Sequence, residues 1–466
     1  MHHFYSISLN SRISTPVILN VFLDFPFGMQ YAGWGVMTEF TNIPDDSFYI
    51  QWHITERCDR KCTHCYQNEY ASRRELSSNE LLLAWKKIES AVSGWNKTLS
   101  VSITGGEPLL RYRDGVIPLL QAFEDSKLVD RVDLLSNGGM IQDDLCRSLV
   151  KFSNLRRVQV SLESANSTIN DSIRGIGAFE QTIRAIRTLK DNGITVAVMM
   201  TISKLNLDQL LPTLELCAEL GVDTFALERF MPLGQGIIGG IEVLDSGDVH
   251  NAFNSAYKWS LKNATPRVLL YRPLCSMLAP EDPHIGGMCS VGTNALTIMH
   301  DGTILPCRRL PLPLGNVLTD NLNYIWYESP ILWQARNPKA LRGKCATCEF
   351  VPACRGCRAM ALAMTGDWLE SDPHCWRPEV DKDQSTSAKL RDDVRLVHPQ
   401  GTNIFFAYHT DTGFVTELDE KSYWLLSNLD GTTDPFSHSK KLVEFSEPSV
   451  RIILDLANNA GLLMDG

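Results

Sequence analysis

The chain has 466 residues and is 44% hydrophobic and 21% charged, an ordinary globular composition that excludes intrinsic disorder and fibrous repeats. Its 44 Lys and Arg against 54 Asp and Glu give a formal net charge of −10, so no general basic surface favours nucleic acid or an anionic membrane. There is no run of about 18 apolar residues, so no membrane-spanning helix is expected.

Residues 1–47 read as an N-terminal extension. The stretch Pro16 to Trp34 is apolar-rich, but Asn20, Asp24 and Pro26 interrupt it, and it lacks the basic leader and cleavage site of a secretory signal. A cytoplasmic protein is expected, with Met37 as its natural start, because the patterned chain begins only after it. From Phe48 onward, short β-rich apolar runs alternate with longer segments of helical period. Strands are expected at Phe48 to Thr55, Leu99 to Thr104, Arg131 to Leu135, Arg157 to Leu162, Thr195 to Ile202 and Asp223 to Leu227. Ser77 with Glu80 makes a capping box at one helix start, and Asn192-Gly193 stops another. Six such βα units over residues 48–240 imply an α/β fold, a partial (βα)6 TIM-like barrel with its site at the C-terminal ends of the strands.

The cysteines carry the chemical signal. Thirteen are too few for a disulfide scaffold and too clustered for scattered core thiols. Cys58, Cys62 and Cys65 share the loop after the first strand, eight more fall between Cys275 and Cys375, and Cys146 and Cys217 stand apart as buried helix-face thiols. Three soft ligands suit an iron-sulfur cluster and leave one iron open, whereas zinc prefers four. The amino and carboxylate groups of S-adenosylmethionine can fill that open position. After the second strand, Gly105-Gly106-Glu107-Pro108 allows close backbone approach and sets a carboxylate where it can accept from an ammonium group. Alone this is a common turn, but behind the three-cysteine loop it becomes specific.

On these residues the chain resembles the radical S-adenosylmethionine (radical SAM) superfamily. The resemblance implies that Cys58, Cys62 and Cys65 hold a catalytic [4Fe-4S] cluster and that Gly105, Gly106 and Glu107 meet the methionyl amino group. It further implies cofactor contacts from Tyr66 and Asn137, from Ser161 and Glu163 near the ribose, from Arg174 near the carboxylate, and from Leu227 against the adenine. Residues 241–380 look like the SPASM extension, which carries two auxiliary clusters. Three cysteines for the first cluster and four for each of two others require eleven, the number left once Cys146 and Cys217 are set aside. The family pattern implies one auxiliary cluster on Cys275, Cys289, Cys307 and Cys357, and another on Cys345, Cys348, Cys354 and Cys375. The chain departs from that pattern in the two-residue gap between Cys354 and Cys357 and in the distance from Cys275 to Cys289. Taken alone, Cys345-x2-Cys348 and Cys354-x2-Cys357 would also make a tetrahedral zinc site. A hairpin is expected around His300-Asp301-Gly302. Sulfatase maturases, similar in both cluster regions, place a proton-accepting aspartate where this chain has Arg308, so formylglycine formation is not implied.

Residues 381–395 read as a charge-mixed linker. Beyond it, Asn403 to Tyr408 and Phe414 to Leu418 read as a hairpin around Thr410 to Gly413, with helices at Asp419 to Leu429 and Ser446 to Ala460. Residues 396–466 resemble the winged-helix-like peptide-chaperone domain of pyrroloquinoline quinone biosynthesis, which implies leader-peptide binding; a packing or dimerisation module is the alternative. The whole implies an enzyme with three [4Fe-4S] clusters and S-adenosylmethionine that oxidatively modifies a precursor peptide or protein, forming a thioether, carbon-carbon or related crosslink. A flavodoxin or ferredoxin would donate electrons, and neither nucleic acid nor membrane would be a partner. Maturation of another metalloenzyme or of a tetrapyrrole-type cofactor is the second reading, and an iron-sulfur scaffold or redox sensor the third.

Overall fold

The computed structural model describes residues 47–71, 74–280, 282, 285–377, 389–399, 405–411, 415–418, 420–429, 453–454, 457 and 462–464. The N-terminal extension, the Met37 start, the Thr412-Gly413 turn and most of the expected linker and last helix lie outside these residues. The chain divides after Arg377 into two compact units.

The first unit is built on strands β1 (Ser47–His53), β2 (Thr98–Thr104), β3 (Val129–Ser136), β4 (Leu155–Ser161), β5 (Val196–Ile202), β6 (Thr224–Arg229) and β7 (Arg267–Leu269), all parallel and in chain order. Between them run α1 (Ser78–Gly94), α2 (Ile117–Glu124), α3 (Asp143–Leu149), α4 (Ser167–Arg174), α5 (Ala178–Asp191), α6 (Leu210–Glu219), α7 (Gln235–Ile238) and α8 (Ser246–Ser260). The capping box forms as expected: Ser77 N–H donates to Glu80 Oε2 at 2.8 Å, and Glu80 N–H donates back to Ser77 Oγ at 3.3 Å.

Strand alternation separates two faces. Phe48, Ile50 and Trp52 of β1 and Leu99, Val101 and Ile103 of β2 are buried in one core with Leu81 and Ile88 of α1 and Phe123 of α2. The other face is polar and bonded across strands: Arg131 Nε donates to Ser100 Oγ at 2.8 Å, and Arg157 pairs with Asp133 at 2.8 Å. Helices therefore cover one side of the sheet, and the other side is polar.

The hairpin around His300 forms as β8 (Ala295–Ile298) and β9 (Thr303–Leu305), followed by β10 (Gly315–Asn316). Gly302 turns it at φ +87°, and a Cβ there would lie 2.8 Å from Asn316 Oδ1. The sequence reading did not foresee that β8 would pair in parallel with β1, Tyr49 opposite Ala295 through Trp52 opposite Ile298. The cysteine-rich region thus joins the barrel sheet, giving ten strands in the order β10-β9-β8-β1-β2-β3-β4-β5-β6-β7. It also contributes α9 (Leu322–Glu328), α10 (Pro330–Arg336) and α11 (Arg358–Thr365). Among the described residues no helix is long and apolar enough to cross a membrane.

In the second unit the expected hairpin appears as β12 (Phe405–His409) and β13 (Val415–Leu418), antiparallel with Tyr408 opposite Val415. β11 (Val394–Val397) adds to the other edge of β12, so the end of the segment read as a linker is ordered strand. α12 (Glu420–Leu426) follows, and Val394, Ala407, Leu425 and Leu426 share a small core.

Candidate functional site

The loop after β2 lies directly on the loop after β1. Gly106 N–H donates to Thr55 O and Glu107 N–H to Arg57 O, both at 2.8 Å. A Cβ at Gly105 would sit 2.4 Å from Thr55 O, and one at Gly106 2.3 Å from Arg57 O, so any side chain at either position would push the loops apart. Cys58, Cys62 and Cys65 are carried on the clamped loop as free thiols. A turn between Cys65 N–H and Cys62 O at 3.1 Å shapes its end.

Glu107 is fully buried and accepts from Leu109 N–H at 3.0 Å, Ser136 Oγ at 3.0 Å and Asn137 N–H at 2.6 Å. Burial pushes its carboxyl up to about 7 against those donors. In this arrangement Glu107 fastens the ends of β2 and β3 together, and Asn137 in turn donates to Asp59 Oδ1 at 2.6 Å, inside the cysteine loop.

Glu163, just beyond β4, accepts from Arg174 at 2.9 Å and Thr201 N–H at 2.7 Å, with His64 Nε2 3.4 Å away. Burial works to raise its carboxyl, but His64 and Arg174 prevail and hold it below the ordinary range. Thr63 N–H donates to Ile173 O at 2.9 Å, which seats the last turn of α4 against the cysteine loop and brings the Arg174 charge toward Cys62. Glu163 and Arg174, expected at ribose and carboxylate, are therefore partners of one another. Ser161 ends β4 on the polar face, half-buried. Leu227 is fully buried in the apolar core, on the opposite face of β6 from its neighbour Glu228, because side chains alternate along a strand.

The residues that sequence reasoning missed come from distant segments. Arg308 stacks over the Tyr66 ring at 4.9 Å and pairs with Glu56 at 3.4 Å, and His300 Nδ1 lies 3.4 Å from the same Glu56 oxygen. Residue type gave a clue only at Arg308, beside Cys307. Glu228 pairs with Arg272 and, at 3.1 Å, with Arg309; these cations hold its carboxyl at about 2 although burial pushes it up.

Cys345, Cys348, Cys354 and Cys375 line one cavity. Cys289, Cys307 and Cys357 gather around Met231, Leu310 and Met360. Cys275 is fully buried, and Arg272, Arg229 and Glu228 act on it electrostatically. Arg229 forms a two-pronged pair with Asp372 at 3.0 and 2.9 Å, and Asp372 also accepts from Cys357 N–H at 2.9 Å while lining the four-cysteine cavity. Burial pushes the thiols of Cys58, Cys275 and Cys354 up to about 12, so a metal must bind to hold them as thiolates. Among the described residues no three His, Cys, Asp or Glu side chains converge closely enough for a single ion. Soft donors set around a cavity suit a multi-iron cluster better than zinc.

The model of the radical SAM superfamily matches residues 52–217, and that of the SPASM iron-sulfur cluster-binding domain matches residues 289–358. This chain is a radical SAM enzyme with a SPASM domain. The superfamily and the SPASM domain bring with them a SAM-binding [4Fe-4S] cluster and auxiliary clusters. Among relatives of this radical SAM enzyme, the AdoMet-dependent heme synthase of Methanosarcina barkeri is 29% identical over 73% of this chain and 99% of its own length. Mycofactocin maturase MftC of Mycolicibacterium smegmatis is 28% identical over 73% and 85%. In fold it is similar to Streptococcus suis SuiB, solved with the precursor peptide SuiA, at TM-score 0.58 and 21% identity over 73% of this chain and 79% of that one.

Proposed function

We propose that this radical SAM enzyme is a peptide maturase. The observation that carries this reading is the second unit. The matches to the Methanosarcina barkeri heme synthase, to MftC and to SuiB each take in 73% of this chain, so each leaves about a quarter of it unmatched. Among the described residues β13 pairs only with β12, and Val415 on it is 53% exposed, so its outer edge offers unpaired backbone and an apolar contact to an extended peptide. SuiB and MftC, by their names, concern peptides or maturation.

Cys58, Cys62 and Cys65 would hold the SAM-binding cluster, with Gly105, Gly106 and Glu107 beside the methionyl amino group and Tyr66, Asn137, Ser161, Glu163 and Arg174 around the remainder. When bound, that cluster supplies the electron that cleaves S-adenosylmethionine to a 5'-deoxyadenosyl radical, which takes hydrogen from the substrate. The residues of the chain orient this reaction: the glycines allow close backbone approach, and the Glu163-Arg174-His64 group fixes the cysteine loop from behind. Two auxiliary clusters on the eight downstream cysteines would accept the surplus electron and relay electrons to the SAM-binding cluster, with a flavodoxin or ferredoxin as the external electron donor.

Anaerobic reconstitution with a small precursor peptide encoded beside the gene tests the proposal. It predicts 5'-deoxyadenosine release together with a mass loss of hydrogen from the peptide, and a Val415→Lys variant that still releases 5'-deoxyadenosine but binds the peptide weakly. Modification of a tetrapyrrole, indifferent to Val415→Lys, would replace this reading with the one suggested by the heme synthase relatives.

A further inference from the structure

α9 and α10 meet at Ser329 and leave an open cleft of about 460 Å³, lined by Trp326, Tyr327, Trp333, Arg336 and Arg355 and by the Gly292-Thr293 backbone. Its walls are aromatic and open to solvent: Trp333 is 58% exposed and Tyr327 48%. Its rear is rigid, because Trp326 stacks on Trp95 at 5.6 Å and meets Phe48 edge-on at 4.8 Å. Arg336 lies 4.6 Å over Trp326 and donates to Gly292 O at 2.8 Å. Arg355 holds a left-handed backbone at φ +60° and donates to Ala335 O at 3.2 Å, and its Nε is buried without a partner. Among the described residues neither arginine makes an ion pair. The cleft is thus aromatic and cationic on a chain whose net charge is −10.

Its position is the second observation. Arg355 lines both the cleft and the cavity of Cys345, Cys348, Cys354 and Cys375. Gly292 and Thr293 follow Cys289 by three and four residues. The Arg355 side chain is therefore shared by this opening and the auxiliary-cysteine region.

We propose that this cleft is the docking face for an acidic flavoprotein electron carrier of the flavodoxin class. The inference rests on the auxiliary-cluster reading above and supplies its external partner. An overall acidic surface repels an acidic carrier, so a local pair of uncompensated arginines steers it to one place. Tyr327 and Trp333 offer flat rings to the exposed edge of a flavin; an iron-sulfur ferredoxin presents no such ring. Each encounter passes one electron and no proton: the carrier's flavin is oxidised by one electron, and the auxiliary site it faces is reduced by one.

The test uses the full-length reconstituted holoenzyme and purified flavodoxin, with binding measured by calorimetry at about 50 and about 500 mM salt. Trp333→Ala and Tyr327→Ala should each weaken binding about tenfold while iron content stays unchanged. Arg355→Gly, which suits the left-handed backbone, should flatten the salt dependence seen in the wild type. Reduction of the auxiliary clusters by flavodoxin, followed by stopped-flow absorbance, should slow in step with affinity. Undiminished flavodoxin binding in Trp333→Ala and Tyr327→Ala overturns the proposal, as does loss of ferredoxin binding, precursor-peptide binding or self-association in place of flavodoxin binding. Dithionite-driven 5'-deoxyadenosine formation bypasses the carrier, so it tests the enzyme reading separately.

Discussion

In the barrel the core is complete without Cys58, Cys62 and Cys65. Phe48, Trp52, Leu99, Phe123 and Phe225 are fully buried, while Cys58, Cys62 and Cys65 ride on a half-buried loop. In the cysteine-rich region the cysteines are themselves part of the core. Cys345 packs with Leu341, Val351 and Leu369, and Cys289, Cys307 and Cys357 pack around Met231, Leu310 and Met360. Its strands run only two to four residues, too short to bury much surface of their own. The contrast separates two uses of one ligand type: in the first region metal binding adds chemistry to a finished fold, and in the second it adds folding energy.

That contrast can be broken by experiment. The largest effect is expected from Cys58→Ala/Cys62→Ala/Cys65→Ala, which should abolish 5'-deoxyadenosine formation in a chromatographic assay yet move the melting temperature little; a collapsed fold would erase the distinction. Stripping iron with a chelator should accelerate amide hydrogen exchange across residues 289–375 and leave α1 and α5 protected. Asp372→Ala strands Arg229 in a buried site and should cost about 3–5 kcal/mol in denaturant unfolding, with loss of auxiliary iron. Gly106→Ala should cost about 2 kcal/mol or more and loosen the cysteine loop, because its Cβ would meet Arg57 O at 2.3 Å. The smallest change sharpens the picture from the other side: Ser77→Ala removes only the α1 cap, so a loss of about 1 kcal/mol in thermal melting should leave cluster content untouched.

What could be read from the sequence was local. Alternation placed β1 to β6 within a few residues, Ser77 and Glu80 marked the α1 start, and the turn at Gly302 marked the β8-β9 hairpin. Cysteine spacing located the first cluster loop and the four cysteines that share a cavity. Periodicity does not say which strand pairs with which, so the β8-β1 junction went unseen, and β7 is three residues long. Arg308 with Glu56 and Arg229 with Asp372 are partners across about 250 and about 140 residues, and no spacing rule reaches that far.

The parallel seam of β1 with β8 sets a timetable for biosynthesis. β1 leaves the ribosome well before its partner on that side, which is translated roughly 240 residues later. At 5–20 residues per second that is a delay on the order of 10–50 s. Throughout it the nascent barrel presents a bare backbone edge at Tyr49 to Trp52, a template for aggregation. A chaperone that shields nascent chains over that interval should raise the soluble yield of the whole protein.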